Sequence, residues 1–278
     1  MEFHMHILLN LFRQTVHRRR MIWDLAKADF RKRFVGSYFG IVWMFVQPIV
    51  TILIYFCIFQ LGFKSTPPVP DTPYVLWLVP GIIPWFFFSD ELQGITNNLQ
   101  EYNYLVKKVV FPVELLPLIK AISAFLVHAC FLIIMLAIFL FSGRTPLVTW
   151  IQIFYYTFAA MMLALGIGYV TSAVNVFFKD MAQIVGICLQ FGMWLAPIMY
   201  WEGMFMDRYP QYASVISFVF KLNPFYYIVA GFRDSMLTGS WFFERPMNTL
   251  YFWAVTIFVF YFGLKLYTRL RPHFSDVL

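Results

Sequence analysis

Residues Ile41–Phe63 form an unbroken run of 23 residues without a single charged side chain. At about 1.5 Å per residue a helix of that length reaches roughly 34 Å, enough to cross a hydrocarbon core of about 30 Å with some tilt. Inside that core every backbone polar group must be bonded within the protein, which leaves only helices and closed barrels. Further apolar runs follow at about 74–93, 115–141, 150–178, 181–200 and 249–267. Six transmembrane helices, and hence an all-α polytopic membrane protein, are expected. A soluble domain carries about 45–50% apolar and about 25% charged residues. Here 61% are hydrophobic and 13% charged, which excludes that class.

The first run is fed by a basic amphipathic stretch, so residues 1–40 read as a cytoplasmic N-terminal segment with an interfacial helix and residues 41–278 as the transmembrane domain. Lys27, Arg31, Lys32 and Arg33 suit the headgroup level, while Trp23, Phe30, Phe34 and Tyr38 suit the acyl boundary. Upstream, Arg13, His17 and Arg18–Arg20 alternate with Leu8, Leu9, Leu11, Phe12 and Val16 as a second surface helix. No small-residue cleavage site precedes the first run, so insertion is expected to use that helix itself. The net charge of +7 suggests nucleic acid at first sight. Its distribution speaks for topology instead: fourteen Lys and Arg fall on the side of the N-terminus and six on the other. Both termini are therefore expected in the cytoplasm, at the plasma (inner) membrane, with residues 201–248 facing outward and no nucleic-acid partner.

Breaks and polar residues inside the runs predict local detail. Pro80 and Pro84 predict a kink or partly unwound turn in the second span. Gln47, Pro48 and Thr51 predict that one face of the first span looks into the bundle. Ala164 and Gly168 suit a close helix–helix approach. The pieces 212–222 and 225–237 are each too short to span and read as re-entrant or surface helices; Trp201, Tyr209 and Tyr212 would form an external gate there.

Enzymatic signatures are missing. The five histidines share no metal-ligand spacing, no metal site is expected, and Cys57, Cys130 and Cys188 lie in apolar runs as small hydrophobes. No Gly-x-Ser-x-Gly or His-Glu-x-x-His occurs. Asp90-Glu91 is the one adjacent carboxylate pair near membrane depth, and it keeps an intramembrane glycan or lipid-phosphate transferase as a rival reading. There is also no G-x-x-x-x-G-K-[ST] loop, so ATP, if it drives this chain, is bound by another subunit. The 97–112 loop is the natural docking surface. Tyr104 could enter a groove there, with Glu101, Lys107 and Lys108 at its rim; an ordinary solvated loop would look similar.

Four motifs, in order along the chain, resemble those of ABC-2 type exporter permeases. They are F-R-x-R-x-x-G-S-x-x-G-x-x-W-x-x-x-x-P from Phe30 to Pro48, the 97–117 segment ending in F-P-x-E-x-x-P, the Phe177–Asp180 turn, and the N-P-x-Y-Y…R-D block within Leu222–Met236. The resemblance is to permeases that export polysaccharide, O-antigen, capsule or teichoic acid, and most to wall teichoic acid translocation permeases. It implies a homodimer with two copies of an ABC ATPase subunit, each gripping a coupling helix. ATP and Mg would be bound by that partner, and no cofactor by this chain. The load would be a polymer on a lipid pyrophosphate, met by Lys27, Arg31, Lys32 and Arg33, although positive-inside topology alone accounts for most such collars. Trp43, Tyr55, Trp77, Trp85, Phe88 and Trp194 are candidates to line the pathway. An ABC-2 permease for small lipophilic compounds is the alternative within the family.

Overall fold

The computed structural model describes residues 2–35, 38–107 and 111–278, and those residues form helices joined by short turns with no strand among them. In chain order the helices are α1 (Glu2–His17), α2 (Arg19–Lys32), α3 (Val42–Tyr55), α4 (Tyr74–Glu101), α5 (Asn103–Val106), α6 (Leu116–Phe141), α7 (Gln152–Phe177), α8 (Met181–Leu195), α9 (Glu202–Arg208), α10 (Ala213–Leu222), α11 (Pro224–Arg233), α12 (Pro246–Leu270) and α13 (Phe274–Val277). A π-helical stretch, Phe56–Gly62, prolongs α3. Five of these segments are long and apolar enough to cross a membrane: Val42–Gly62, Tyr74–Glu101, Val113–Phe141, Val148–Phe177 and Pro246–Val277.

The helix α4 is the centre of the bundle, packed between α6 and α7, while α12 lies against the far side of α7. Small residues set these distances. A Cβ on Gly168 would stand 2.5 Å from Ile95 Cγ2, and one on Gly166 would stand 2.8 Å from the backbone nitrogen of Phe260. Gly263 in turn faces the carbonyl of Gly166, so α7 and α12 touch backbone to backbone. Ala in place of Gly263 forces that contact apart, and a stability loss of about 2 kcal/mol is expected from overpacking. A thermal midpoint in detergent equal to that of the native chain would contradict it.

Two expectations are corrected. The helix α4 keeps helical backbone through Pro80 and Pro84, so the second span has no unwound turn there. Neighbouring elements bury most of its apolar stretch, and that packing holds it together where the proline rings remove donors. The expected fifth span, 181–200, is helical only to Leu195. Ala196 precedes a proline and is pushed to an extended conformation (φ −80°, ψ 128°), which ends the helix. Its 15 residues rise only about 22 Å, less than a full crossing.

The pieces after it behave as their lengths demand. Pro210–Leu222 and Pro224–Thr238 meet at a 95° bend. Asn223 makes the corner, its side-chain oxygen accepting from the Phe225 N–H at 3.0 Å as the N-cap of α11.

Two cores share the bundle. One joins the halves of α4, α6 and α7 remote from the N-terminal segment with α11. The other gathers Ile22, Leu99, Tyr102, Val113, Leu116, Tyr267 and Phe274. The N-terminal segment, the α4–α6 connection and the C-terminal tail therefore lie at one end of the molecule, as the charge distribution requires. By contrast, α3 buries none of its residues and α8 only Val185.

Candidate functional site

The residues α2 buries are Ile22, Ala26 and Asp29, three to four apart and therefore one stripe on one face. Two are apolar; the third is a carboxylate, 3% exposed. A buried charge needs a partner, and α6 supplies it. Lys120 Nζ lies 2.6 Å from Asp29 Oδ1 and 2.6 Å from Glu101 Oε2. The Tyr102 hydroxyl donates to the same Asp29 oxygen at 2.7 Å, and its ring lies 5.2 Å below the Lys120 ammonium. Arg33, one turn on from Asp29, pairs with Asp90 at 2.6 Å and approaches Asp29 at 3.7 Å. Burial pushes the Asp29 carboxyl up, but the Lys120 charge and the bonds from Lys120 and Tyr102 outweigh it and hold it below the ordinary carboxylate value. This cluster ties the interfacial helix to the end of α4 and the start of α6.

A second fastening secures the other arm of the α4–α6 connection. Glu114 pairs with Arg271 of the C-terminal tail. The hydroxyls of Tyr169 and Tyr267 donate to the carbonyls of Glu114 and Val113 at 2.9 and 3.0 Å. Val113 and Glu114 of the F-P-x-E-x-x-P segment thus anchor it to α12, α7 and the C-terminal tail.

The expected docking residues fall on both sides of this cluster. Asn97–Glu101 continue α4, and only the single turn of α5 stands apart as a separate helix. Glu101 is turned to Lys120. Tyr104 is 53% exposed at the tip, and Lys107 is exposed beside it. Lys108 lies outside the described residues.

Within the expected basic collar, Arg33 turns inward, while Lys27, Arg31 and Lys32 line an open surface cavity of about 470 Å³ together with Asp24. Lys27 pairs with Asp24 at 3.1 Å and reaches over the Trp23 ring. Asp29, Tyr102, Lys120 and the Glu114–Arg271 pair were not among the residues expected from sequence. The available signal was Lys120, a cation in an apolar helix, which requires an anion nearby.

The aromatic candidates divide in the same way. Trp77, Trp85 and Phe88 are buried core residues, the latter two packed on Phe225 at 4.9 Å. Trp43 and Trp194 are exposed, and the Tyr55 hydroxyl reaches Met193 Sδ at 3.6 Å, linking α3 to α8. At the other end of the molecule, Tyr209 and Tyr212 line an apolar cavity of about 470 Å³ with Phe205 and Phe220, whereas Trp201 stands edge-on to Trp77.

That end has its own polar fastening, built from the R-D block. The Arg233 guanidinium donates to the carbonyls of Trp77, Pro197 and Ile198 at 3.2, 2.6 and 2.5 Å and lies 3.4 Å over the Trp77 ring. Tyr74 donates to the Met199 carbonyl at 2.7 Å. The carbonyls freed where α8 stops are thereby satisfied inside the protein. Among the described residues Arg233 has no carboxylate partner, since Asp234 pairs with Arg245 at 2.9 Å.

Comparison with known proteins places this architecture. Residues 21–237 match the ABC-2 type transporter family. An O-antigen export system permease protein RfbA of Klebsiella pneumoniae is 24% identical over 258 residues, covering 91% of this chain and 93% of that protein. Its namesake in Myxococcus xanthus is 22% identical over 271 residues, covering 97% and 99%. The polysialic acid transport protein KpsM of Escherichia coli is 21% identical over 252 residues, covering 86% and 89%. The chain belongs to the ABC-2 type transporter family, as a multi-pass membrane permease subunit that works with a separate ATPase and is not itself an enzyme.

Proposed function

We propose that this chain is the permease of an ATP-driven exporter whose load is a polymer carried on a lipid pyrophosphate, a surface polysaccharide or a teichoic acid. The observation that carries this reading is the Asp29–Lys120–Glu101 ion-pair cluster. It makes the cationic interfacial helix and the ATPase-facing end of α4 one mechanical unit. An ATPase gripping the exposed Tyr104 would displace α4 at Glu101, and Lys120 would pass that displacement to α2 and its collar. The collar lies at headgroup level on the cytoplasmic side, where Lys27, Arg31 and Lys32 offer the pyrophosphate charge and Arg31 a bidentate partner. The likeness to O-antigen and polysialic acid exporters supports a glycan load. Two copies would form the pathway, with the unburied faces of α3 and α8 turned toward each other and Trp43, Tyr55 and Trp194 beside it.

The test is ATP hydrolysis by the permease–ATPase complex in nanodiscs, titrated with a lipid-pyrophosphate-linked oligosaccharide. Arg31→Glu with Lys32→Glu is expected to raise the half-stimulating concentration at least about ten-fold, since each basic residue near the surface contributes about 1 kcal/mol. An unchanged titration at undiminished complex recovery would remove the collar from substrate binding. Comparing polyol-phosphate and sugar-only polymers as the stimulating load distinguishes the two polymer classes.

A further inference from the structure

Three consecutive arginines stand where α1 gives way to α2. Arg18, Arg19 and Arg20 line an open surface cavity of about 620 Å³ together with His17 and Met21. Among the described residues none of the three guanidinium groups has an ion-pair or hydrogen-bond partner, and neither has Arg13, just upstream. The collar on α2 differs in this respect. Its cavity is edged by Asp24, which pairs with Lys27, and Arg33 beside it is turned to Asp90. No carboxylate lines the cavity at the α1–α2 junction. Unanswered cations converging on one space suit a phosphate, with arginine able to meet it through two donors at once.

The flanking helix narrows the source of that phosphate. One side of α1 is held to the bundle: Leu11 packs on the second core, and the helix touches the Val113–Leu115 turn. Leu9, Phe12 and Val16, three and four residues apart, make another apolar stripe, and each is about half exposed or more. Trp23 extends the exposed apolar surface onto α2. A free phosphate would answer the arginines and leave this stripe in water; a phospholipid answers both, its headgroup at the arginines and its acyl chains along the stripe. Positive-inside topology accounts for basic residues on this side of the membrane, but not for their convergence on one cavity beside an uncovered apolar stripe.

We propose that the α1–α2 junction is a binding site for an anionic phospholipid of the cytoplasmic leaflet, its headgroup phosphate held by Arg18, Arg19 and Arg20. The bound lipid fixes α1 at the membrane surface, and α1 in turn braces the Val113–Leu115 turn of the α4–α6 connection. The site is separate from the collar and requires no lipid-pyrophosphate load, so it stands or falls independently of the reading above.

The test uses the full chain in phosphatidylcholine nanodiscs, with Cys57, Cys130 and Cys188 replaced by alanine and a bimane attached through Val16→Cys. Doxyl-labelled phosphatidylglycerol or doxyl-labelled phosphatidylcholine is added in rising fraction as the quencher. The anionic lipid should quench at the lower fraction. Replacing Arg18→Gln, Arg19→Gln and Arg20→Gln together should reduce that preference at least about ten-fold, since each cation near the surface contributes about five-fold. These side chains hold nothing among the described residues, so folding is not at stake. The collar variant Lys27→Gln, Arg31→Gln and Lys32→Gln should keep the preference. Equal quenching by the two lipids in the native background would overturn the site. So would a collar variant that loses as much preference as the junction variant, because the attraction would then belong to the net charge of the whole segment. A junction variant that keeps its lipid preference but no longer co-purifies with the ATPase would overturn it in favour of an acidic surface on that partner.

Discussion

Lys120→Met is expected to detach α2 from the bundle and to lower stability by about 3–5 kcal/mol, the usual cost of removing one partner of a buried ion pair. The loss comes from what remains. Asp29, 3% exposed, is left with the Tyr102 hydroxyl and the more distant Arg33 but without its closest cation, and Glu101 loses its contact with α6. The double variant Asp29→Asn with Lys120→Met should recover at least half of the loss, because a buried carboxamide needs no countercharge. Thermal midpoints in detergent and spin-label distances between α2 and α6 measure both effects. A single variant as stable as the native chain, or a double variant no better than the single, would show that the pair does not hold the interfacial helix. The same variant tests the proposed coupling: ATPase binding through Tyr104 should persist while the load no longer stimulates hydrolysis.

Arg233→Met is expected to loosen the opposite end. It strips donors from the carbonyls of Pro197 and Ile198, each worth about 1–3 kcal/mol when left buried and unbonded. Relief of the guanidinium's own desolvation offsets part of this, so a net loss of about 3 kcal/mol is expected. Arg233→Lys should fall in between, since one ammonium cannot bridge two carbonyls and also stack on Trp77. A more local readout is a cysteine at Ile198, which is fully buried in the native chain. It should resist a water-soluble maleimide in the native background and react once Arg233 is replaced. Protection unchanged by Arg233→Met would show that the 196–200 segment is held by its other contacts, the Tyr74 bond among them.

The two fastenings explain why polar residues recur in an otherwise oily chain. At one end Asp29, Lys120 and Glu101 hold the interfacial helix and the end of α4 together; at the other Arg233 satisfies backbone that leaves helical geometry. Neither contact is local. Asp29 and Lys120 are 91 residues apart, and Arg233 and Trp77 are 156 apart.

The apolar runs by themselves determined the all-α membrane class, because hydrocarbon admits no unbonded backbone and the runs have helix-crossing length. Charge placement likewise put the N-terminal segment, the α4–α6 connection and the C-terminal tail at one end, and they share one core. Asn223-Pro224 announced the corner where α10 and α11 turn by 95°, since both residue types carry their geometry locally. What tertiary structure decided is which polar side chains face one another. Arg33 looks like its neighbours Arg31 and Lys32 in sequence, yet its place on the helix turns it to Asp90 and leaves them on the surface. Pro80 and Pro84 stay within one continuous helix instead of unwinding a turn, whereas the helix before Pro197 ends and Arg233 bonds the carbonyls there. Local pattern specifies a helix and its apolar stripe; the identity of a charge's partner depends on contacts between segments a hundred residues apart, and only the folded bundle supplies them.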